Sequence, residues 1–373
     1  MKNFVFYIRN ASSSLAQFSK KTGIDENRLK LLSREKDSPS YAELSTIAQV
    51  LKLPVSLLLK DYQESDNLNV LFRKQFGSAP DDIVISNFNF YVENILRLDP
   101  DSSRVEKIRE KINPVENTYN NAEALAFYFR QVYFDGNHLE PLTNLPEILS
   151  NNLGFIVKVH ELGKKADGAS ASIKKLIFLI ISPRFEGRML FTLAHELAHI
   201  LNHYENGDFV YFDEQSLLRS VNDKVKEESF ANAFASCLLL PEKGLGKLIN
   251  KVRESFQIAS EASLSDIEIL YISRFYSVSF DVAANRCEAL NLIPIGGAFS
   301  LSSQIKNDFG SPEKRADDLG IPPRETINFP LAPNFVLDRA INLIENEEYS
   351  IGKISEMLLM PVNEILKYHS QIG

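Results

Sequence analysis

Three of the six histidines of the chain fall within nine residues of the stretch "FTLAHELAHILNHYE": His195, His199 and His203, with Glu196 directly after the first. His195 and His199 are four apart, so on a helix both imidazoles leave the same face and can share one zinc ion. Glu196 sits about 100° further round, where a carboxylate reaches a water on the metal rather than the metal. Phe191, Ala194, Ala198 and Leu201 give the helix an apolar side. The small Ala194 and Ala198 leave room for a neighbouring helix to come close. His203 lies eight residues from His195, or about 12 Å along the axis, too far to share one ion on a continuous helix. Sites that draw a third histidine from the same stretch turn through a glycine, and "HILNH" has none. His203 is therefore expected beside the ligands, not among them.

The next helical pattern, "KEESFANAFASCLLLP", offers a third ligand. Phe230, Phe234 and Leu238 form one stripe, flanked by the small Ala231 and Ala235. Glu228 precedes Ala231 by three residues and Asn232 by four, so it shares their face. Glu227 competes with it, and both acids would also favour the first turn of a helix by charge alone.

These elements sit in a chain of 373 residues, 44% apolar and 24% charged, long enough for two or three domains. Cys237 and Cys287 are far apart and match no metal or disulfide pattern, which fits a reducing cytosol. The longest apolar run, "LIFLII" at Leu176–Ile181, has strand length and cannot span a bilayer. No signal peptide is apparent at the N-terminus, so a cytoplasmic protein without membrane contact is expected. The net charge of −8 divides unevenly: residues 1–63 carry +4 and the remainder −12. A basic module on an acidic body fits a nucleic-acid-binding head.

The predicted fold is α+β and mostly helical. Residues 1–63 read as short helices, one starting at a Ser14 cap and stopping at Gly23, one opening at an Asp25 cap, and one over "YAELSTIAQVLKLP". Residues 64–118 read as a helical linker bounded by Pro100 and Pro114. Residues 119–260 carry the motif helices with a small sheet, in which "GFIVKVHEL" is a strand and "GASASIKKLIFLIISP" a hairpin. A helical pair over 261–298 and a helical region over 299–373 complete the chain, the latter read as a packing subdomain.

"LAQFSKKTGI", the helix from Asp25 and "SPSYAELSTIAQVLKLPVSLLL" resemble the phage-repressor-like (XRE) helix-turn-helix family. The resemblance implies a recognition helix over Asp25–Arg34 with Asn27, Arg28, Lys30 and Arg34 toward DNA. Asp25 and Glu26 at its start and Glu35, where the family commonly has glycine, depart from the pattern. "GRMLFTLAHELAHILNH" followed by "EESFANAFASCLLLPE" resembles the ImmA/IrrE metallopeptidases, over roughly Asn121 to Phe256. That resemblance implies a zincin-like domain with His195, His199 and Glu228 as metal ligands and Glu196 as general base. One divalent ion is expected, zinc by ligand type, with manganese or iron sharing the same chemistry. The implied partner is a helix-turn-helix repressor cut once to release stress, prophage or mobile-element genes. Leu176–Ile181 is a candidate edge strand to hold an extended peptide, and His160, Tyr204 and Tyr211 are candidates to face the oxyanion. The alternative function is a DNA-binding regulator or antitoxin-like protein whose protease fold serves interaction only.

Overall fold

The computed structural model describes residues 2–9, 15–51, 53–59, 82–160, 162, 166–203, 209–214 and 222–372. The described residues form two hydrophobic cores, a small one at the N-terminus, against which Phe90 also packs, and a large one whose buried members run from Phe88 to Ile365.

The small core gathers five helices, Asn3–Arg9, Leu15–Thr22, Glu26–Ser33, Tyr41–Leu51 and Val55–Leu59. The first was not expected. Its run "NFVFYIR" buries Phe4 through Ile8 on all sides, an apolar density without the amphipathic spacing that announces a helix. The second and third helices are joined by a tight turn in which Gly23 takes φ +67° and donates its N–H to Ser19 O at 2.8 Å. Asp25 caps the third helix, accepting from the backbone N–H of Asn27 and Arg28 at 2.9 and 3.2 Å. The cap predicted at Ser14 lies outside the described residues. Glu35 has φ +56°, so the position where a glycine was expected does take a left-handed backbone.

The helix Asp82–Leu98 falls in the stretch read as a linker, yet it buries Phe88, Tyr91, Val92, Ile95 and Leu98 in the large core. Their three- and four-residue spacing is that of a helix with one apolar face.

Four strands make a mixed sheet: β1 (Ile156–Val159), β2 (Ala166–Ile173), β3 (Leu176–Ile181) and β4 (Phe209–Glu214), in the order β1-β3-β2-β4. The predicted hairpin is β2–β3, antiparallel, turning through Lys174 and Lys175, both with positive φ. β3 pairs with β1 in parallel on its other side, and all six of its residues are buried. The expectation that Leu176–Ile181 is an edge strand is therefore wrong. An unbroken apolar run belongs inside a sheet covered on both faces. The edge beyond β2 is formed by β4, which the sequence reading passed over.

The C-terminal helices Asn334–Glu345, Ile351–Leu358 and Val362–Ile372 close on the same large core. Lys158 of β1 fastens them. Its ammonium, on a residue 4% exposed, donates to the carbonyls of Leu331, Leu358 and Leu359 at 3.0, 2.9 and 3.2 Å and lies 5.4 Å from the centre of the Tyr91 ring. Two of those carbonyls end the helix Ile351–Leu358, where the helix dipole favours a cation. Burial pulls this lysine down to about 8, so it stays charged at neutral pH. Lys158→Met should strip three buried acceptors of their donor and lower stability by about 3 kcal/mol. The measurement is the midpoint of urea unfolding, and an unchanged midpoint would contradict this role.

Candidate metal centre

The motif helix spans Glu186–Asn202 and is buried almost throughout from Leu190 onward. Beside it runs the helix Asn222–Leu239, whose small Ala231 and Ala235 are fully buried and allow the close contact. Its C-terminal end is held by two buried guanidinium groups: Arg130 Nε donates to Leu238 O at 2.7 Å and Arg286 Nε to Leu240 O at 3.1 Å. Both arginines thus supply donors to carbonyls that a helix end leaves unpaired.

Between the two helices, His195 Nε2 and His199 Nε2 are 3.1 Å apart, and the Glu228 carboxylate lies 3.1 Å from the first and 3.6 Å from the second. His195, His199 and Glu228 are the one group of three potential metal ligands found among the described residues. Glu227, the competitor, is not in it.

The polarity of the surrounding hydrogen bonds tests whether a cation fits. Val115 donates its N–H to Asn202 Oδ1 at 2.7 Å and accepts from Asn202 Nδ2 at 3.1 Å, which fixes the orientation of that amide. Asn202 Nδ2 also donates to Asn117 Oδ1 at 2.9 Å, and His203 Nε2 lies 2.8 Å from the same oxygen. Because that oxygen only accepts, His203 carries its proton on Nε2 and offers the Nδ1 lone pair. His199 Nδ1, 2.7 Å from it, must then be the donor. His195 Nδ1 likewise faces Asn232 Oδ1 at 3.0 Å. Both ligand histidines are thus set with the proton on Nδ1 and the lone pair on Nε2. Two imidazole lone pairs and a carboxylate point at one spot with no proton among them. A divalent ion satisfies all three, and the 3.1 Å separation is close to the ~3.3 Å between two nitrogens on a tetrahedral zinc.

His203 is therefore a hydrogen-bond partner of His199 and lies outside the group of His195, His199 and Glu228. Asn117, Asn202 and Asn232 were missed as site residues. Only Asn232 left a signal, since it follows Glu228 by four residues on the same helix face. Burial lowers His203 to about 4, and it holds the fully buried His199 well below the ordinary histidine value, helped by the neighbouring His195 and His203.

Glu196 is fully buried beneath β2. A Cβ on Gly168 would come within 2.6 Å of Glu196 Oε1 and 2.7 Å of Thr192 Cγ2, so only glycine lets the strand pass this close. The approach is pinned at Asp167, which is bonded by Arg184 Nε at 3.0 Å and paired with Arg188, both near the start of the motif helix.

His160 lies buried just past β1, its N–H on Ile181 O at 2.9 Å, and does not join the metal cluster. Tyr204 is outside the described residues, and Tyr211, on β4, pairs with Ser170 of β2, its side chain undescribed. In the N-terminal unit, Asn27, Lys30 and Arg34 are exposed. Arg28 is half-buried and engaged, its Nε 2.7 Å from Glu43 Oε1 and its Nη2 on Ser38 O at 3.0 Å, with Asp37 also paired to it. Lys30 pairs with Glu26 at 2.8 Å along the helix.

Residues 163–288 match the family model of peptidase M78, the IrrE N-terminal-like domain. The match supports the ImmA/IrrE resemblance and indicates a metallopeptidase. Comparison with curated proteins gives no match. Among the described residues no helix is long and apolar enough to cross a membrane.

Purified protein should carry one divalent ion per chain by mass spectrometry, lost in Glu228→Ala and retained in Glu196→Gln. His203→Phe should keep the ion but bind it roughly 10–100-fold more weakly. Metal retained in Glu228→Ala would remove that residue from the site. The metal-free protein should also lose stability as pH falls from about 6.5 to about 4. Over that window the unfolded chain takes up protons on histidines that the folded chain keeps neutral. A melting temperature in chelator that stays flat across it would contradict the burial argument.

Proposed function

We propose that the chain is a metal-dependent endopeptidase that cuts a helix-turn-helix repressor once and so releases stress, prophage or mobile-element genes. The observation that carries this reading is the convergence of His195, His199 and Glu228 on one point with Glu196 beside them under β2. Zinc suits two imidazoles and a carboxylate, with manganese the alternative. When bound, the ion supplies Lewis acidity, drawing the pKa of water toward neutrality and polarising a peptide carbonyl. Glu196 takes the proton of the attacking water and passes it to the departing amine nitrogen. The Nδ1 hydrogen bonds to Asn232 and His203 keep both ligand rings oriented. β4, which ends the described sheet next to β2, is the candidate strand for an extended substrate to add to.

The N-terminal unit supports a regulatory setting in the cytosol. Its exposed Asn27, Lys30 and Arg34 are the candidates for DNA contact. Arg28, engaged by Glu43 and Asp37, braces the helix instead.

The test compares protein N-termini in cells producing the wild-type chain with those producing Glu196→Gln. One new N-terminus within a helix-turn-helix protein is expected in the wild type, reduced roughly 10²–10⁴-fold by the substitution. Identical N-termini in both, with metal bound in both, would leave a DNA-binding regulator that uses the peptidase fold for interaction only.

A further inference from the structure

The C-terminal stretch "EEYSIGKISEMLLMPVNEIL" has no part in the metal centre, yet its structure repeats the turn of the N-terminal unit. Ile351–Leu358 corresponds to Leu15–Thr22, and both helices are eight residues long. Each is followed by one residue with left-handed backbone, Gly23 at φ +67° and Leu359 at φ +49°. Two more residues lead in each case to the next helix, Glu26–Ser33 or Val362–Ile372. The serine at the fifth helical position closes both turns. Ser19 Oγ donates to Ile24 O and Ser355 Oγ to Met360 O, each at 2.6 Å. Buried positions coincide as well: Phe18 with Ile354, Thr22 with Leu358, and Leu29 with Ile365. Leucine tolerates left-handed backbone poorly, so the packing of the two helices imposes this turn, not residue preference.

The helix Asn334–Glu345 completes the unit, with Asp338 accepting from the Tyr368 hydroxyl at 2.6 Å and Glu345 3.0 Å from His369 Nε2. Three helices with this turn are the frame in which a helix-turn-helix protein sets its last helix into the major groove. Val362–Ile372 buries Ile365 and turns Val362, Asn363, Leu366, Lys367 and Ser370 outward. Val362 and Leu366 are 37% and 53% exposed. No carboxylate lies among these five. Glu364 is half-buried at their flank, 4.0 Å from Lys367 and 3.3 Å from Asn363 Nδ2. Asparagine suits adenine, apolar side chains the thymine methyl, and lysine guanine or phosphate, so the face is chemically that of a base reader. The unit as a whole, residues 334–372, carries six acidic and three basic side chains and cannot hold a duplex by charge. The N-terminal unit, at +4, can, and the two units touch: Ser56 Oγ donates to Glu356 Oε2 at 2.7 Å.

We propose that the C-terminal three-helix unit is a second helix-turn-helix that reads A·T-rich duplex DNA through Val362, Asn363 and Leu366. The N-terminal unit supplies the attraction to phosphate, and tethering in one chain replaces the affinity that the second unit lacks. This inference rests on the DNA contact proposed for Lys30 and Arg34 and requires no peptidase activity.

The probe is a pool of random-sequence duplexes, several helical turns long, selected at low salt on the full chain and sequenced. Two separate blocks of enriched sequence are expected, one of them A·T-rich. Asn363→Ala and Leu366→Ala, both at exposed positions, should melt at the wild-type temperature. Each should flatten the A·T-rich block, with base preference falling roughly 10–100-fold, and leave the other block intact. Lys30→Glu combined with Arg34→Glu should abolish binding of every duplex. A single block, or two blocks that survive both alanine substitutions, would overturn the second reader while leaving the first. Unchanged blocks with altered self-association in Leu366→Ala would give the face to a protein instead. No duplex bound by the wild type would overturn the DNA contact of the N-terminal unit and this inference with it.

Discussion

Three lone-pair donors brought to one buried point form an arrangement that water-soluble chains otherwise avoid. His195 Nε2, His199 Nε2 and the Glu228 carboxylate repel one another unless a cation lies between them. That repulsion must be held in check by the rest of the fold, and much of the neighbouring structure can be understood as the means. A proton moved from Nδ1 to Nε2 on either ring would relieve it and abolish the site. The bonds to Asn232 and to His203 oppose that move, and the second is anchored through Asn117 and Asn202 at the backbone of Val115. A backbone amide cannot change its donor and acceptor, so the polarity of the whole relay follows from it.

The same constraint explains why the two helices are stiffened at points away from the cluster. Glu228 sits near the start of a helix whose other end is gripped by Arg130 and Arg286. A loose helix would let the carboxylate swing away from the histidines. On the opposite side, Gly168 lets β2 touch Glu196, and Asp167 ties that strand to Arg184 and Arg188. Glu196, the proposed general base, is thereby confined between a strand and the helix that carries it, in a place where its rotamers are few. The fully buried β3, bonded on both sides, gives β2 a rigid neighbour to work from.

Much of this was legible in the sequence, for reasons that differ by residue. His195, Glu196 and His199 stand out because metal ligands on one helix obey its period, and Glu228 because it shares a face with small residues suited to a helix contact. The β2–β3 hairpin showed in its alternating and then continuous apolar pattern. What escaped was non-local. Asn117 is 82 residues from His199 along the chain, and no periodicity links them. The edge went to β4 rather than β3 because strand order depends on pairing partners, which a local pattern does not encode. The burial of the helix Asp82–Leu98 was masked by its polar surroundings, although Phe88, Tyr91, Val92, Ile95 and Leu98 already had helical spacing. Arg28 looked free for DNA because Glu43, fifteen residues on, gave no hint that it would fold back onto it.

The placement of Glu228, the proposed third ligand, on a separate helix has a thermodynamic consequence. An ion bound by His195 and His199 alone would stabilise a single helix, whereas one that also engages Glu228 links two elements that meet only in the folded chain. Its binding free energy is then folding free energy, and the repulsion among the ligands in its absence works against the same contact. The fold must therefore be stable enough to hold the helices together before the ion arrives, yet have the ligands already aligned. The buried arginines at the helix end, the close packing at Ala231 and Ala235 and the asparagine relay meet both demands without touching the ion. Removing the ion should thus leave the architecture standing and take away chiefly the chemistry, which distinguishes this centre from the small zinc modules that unfold without their metal.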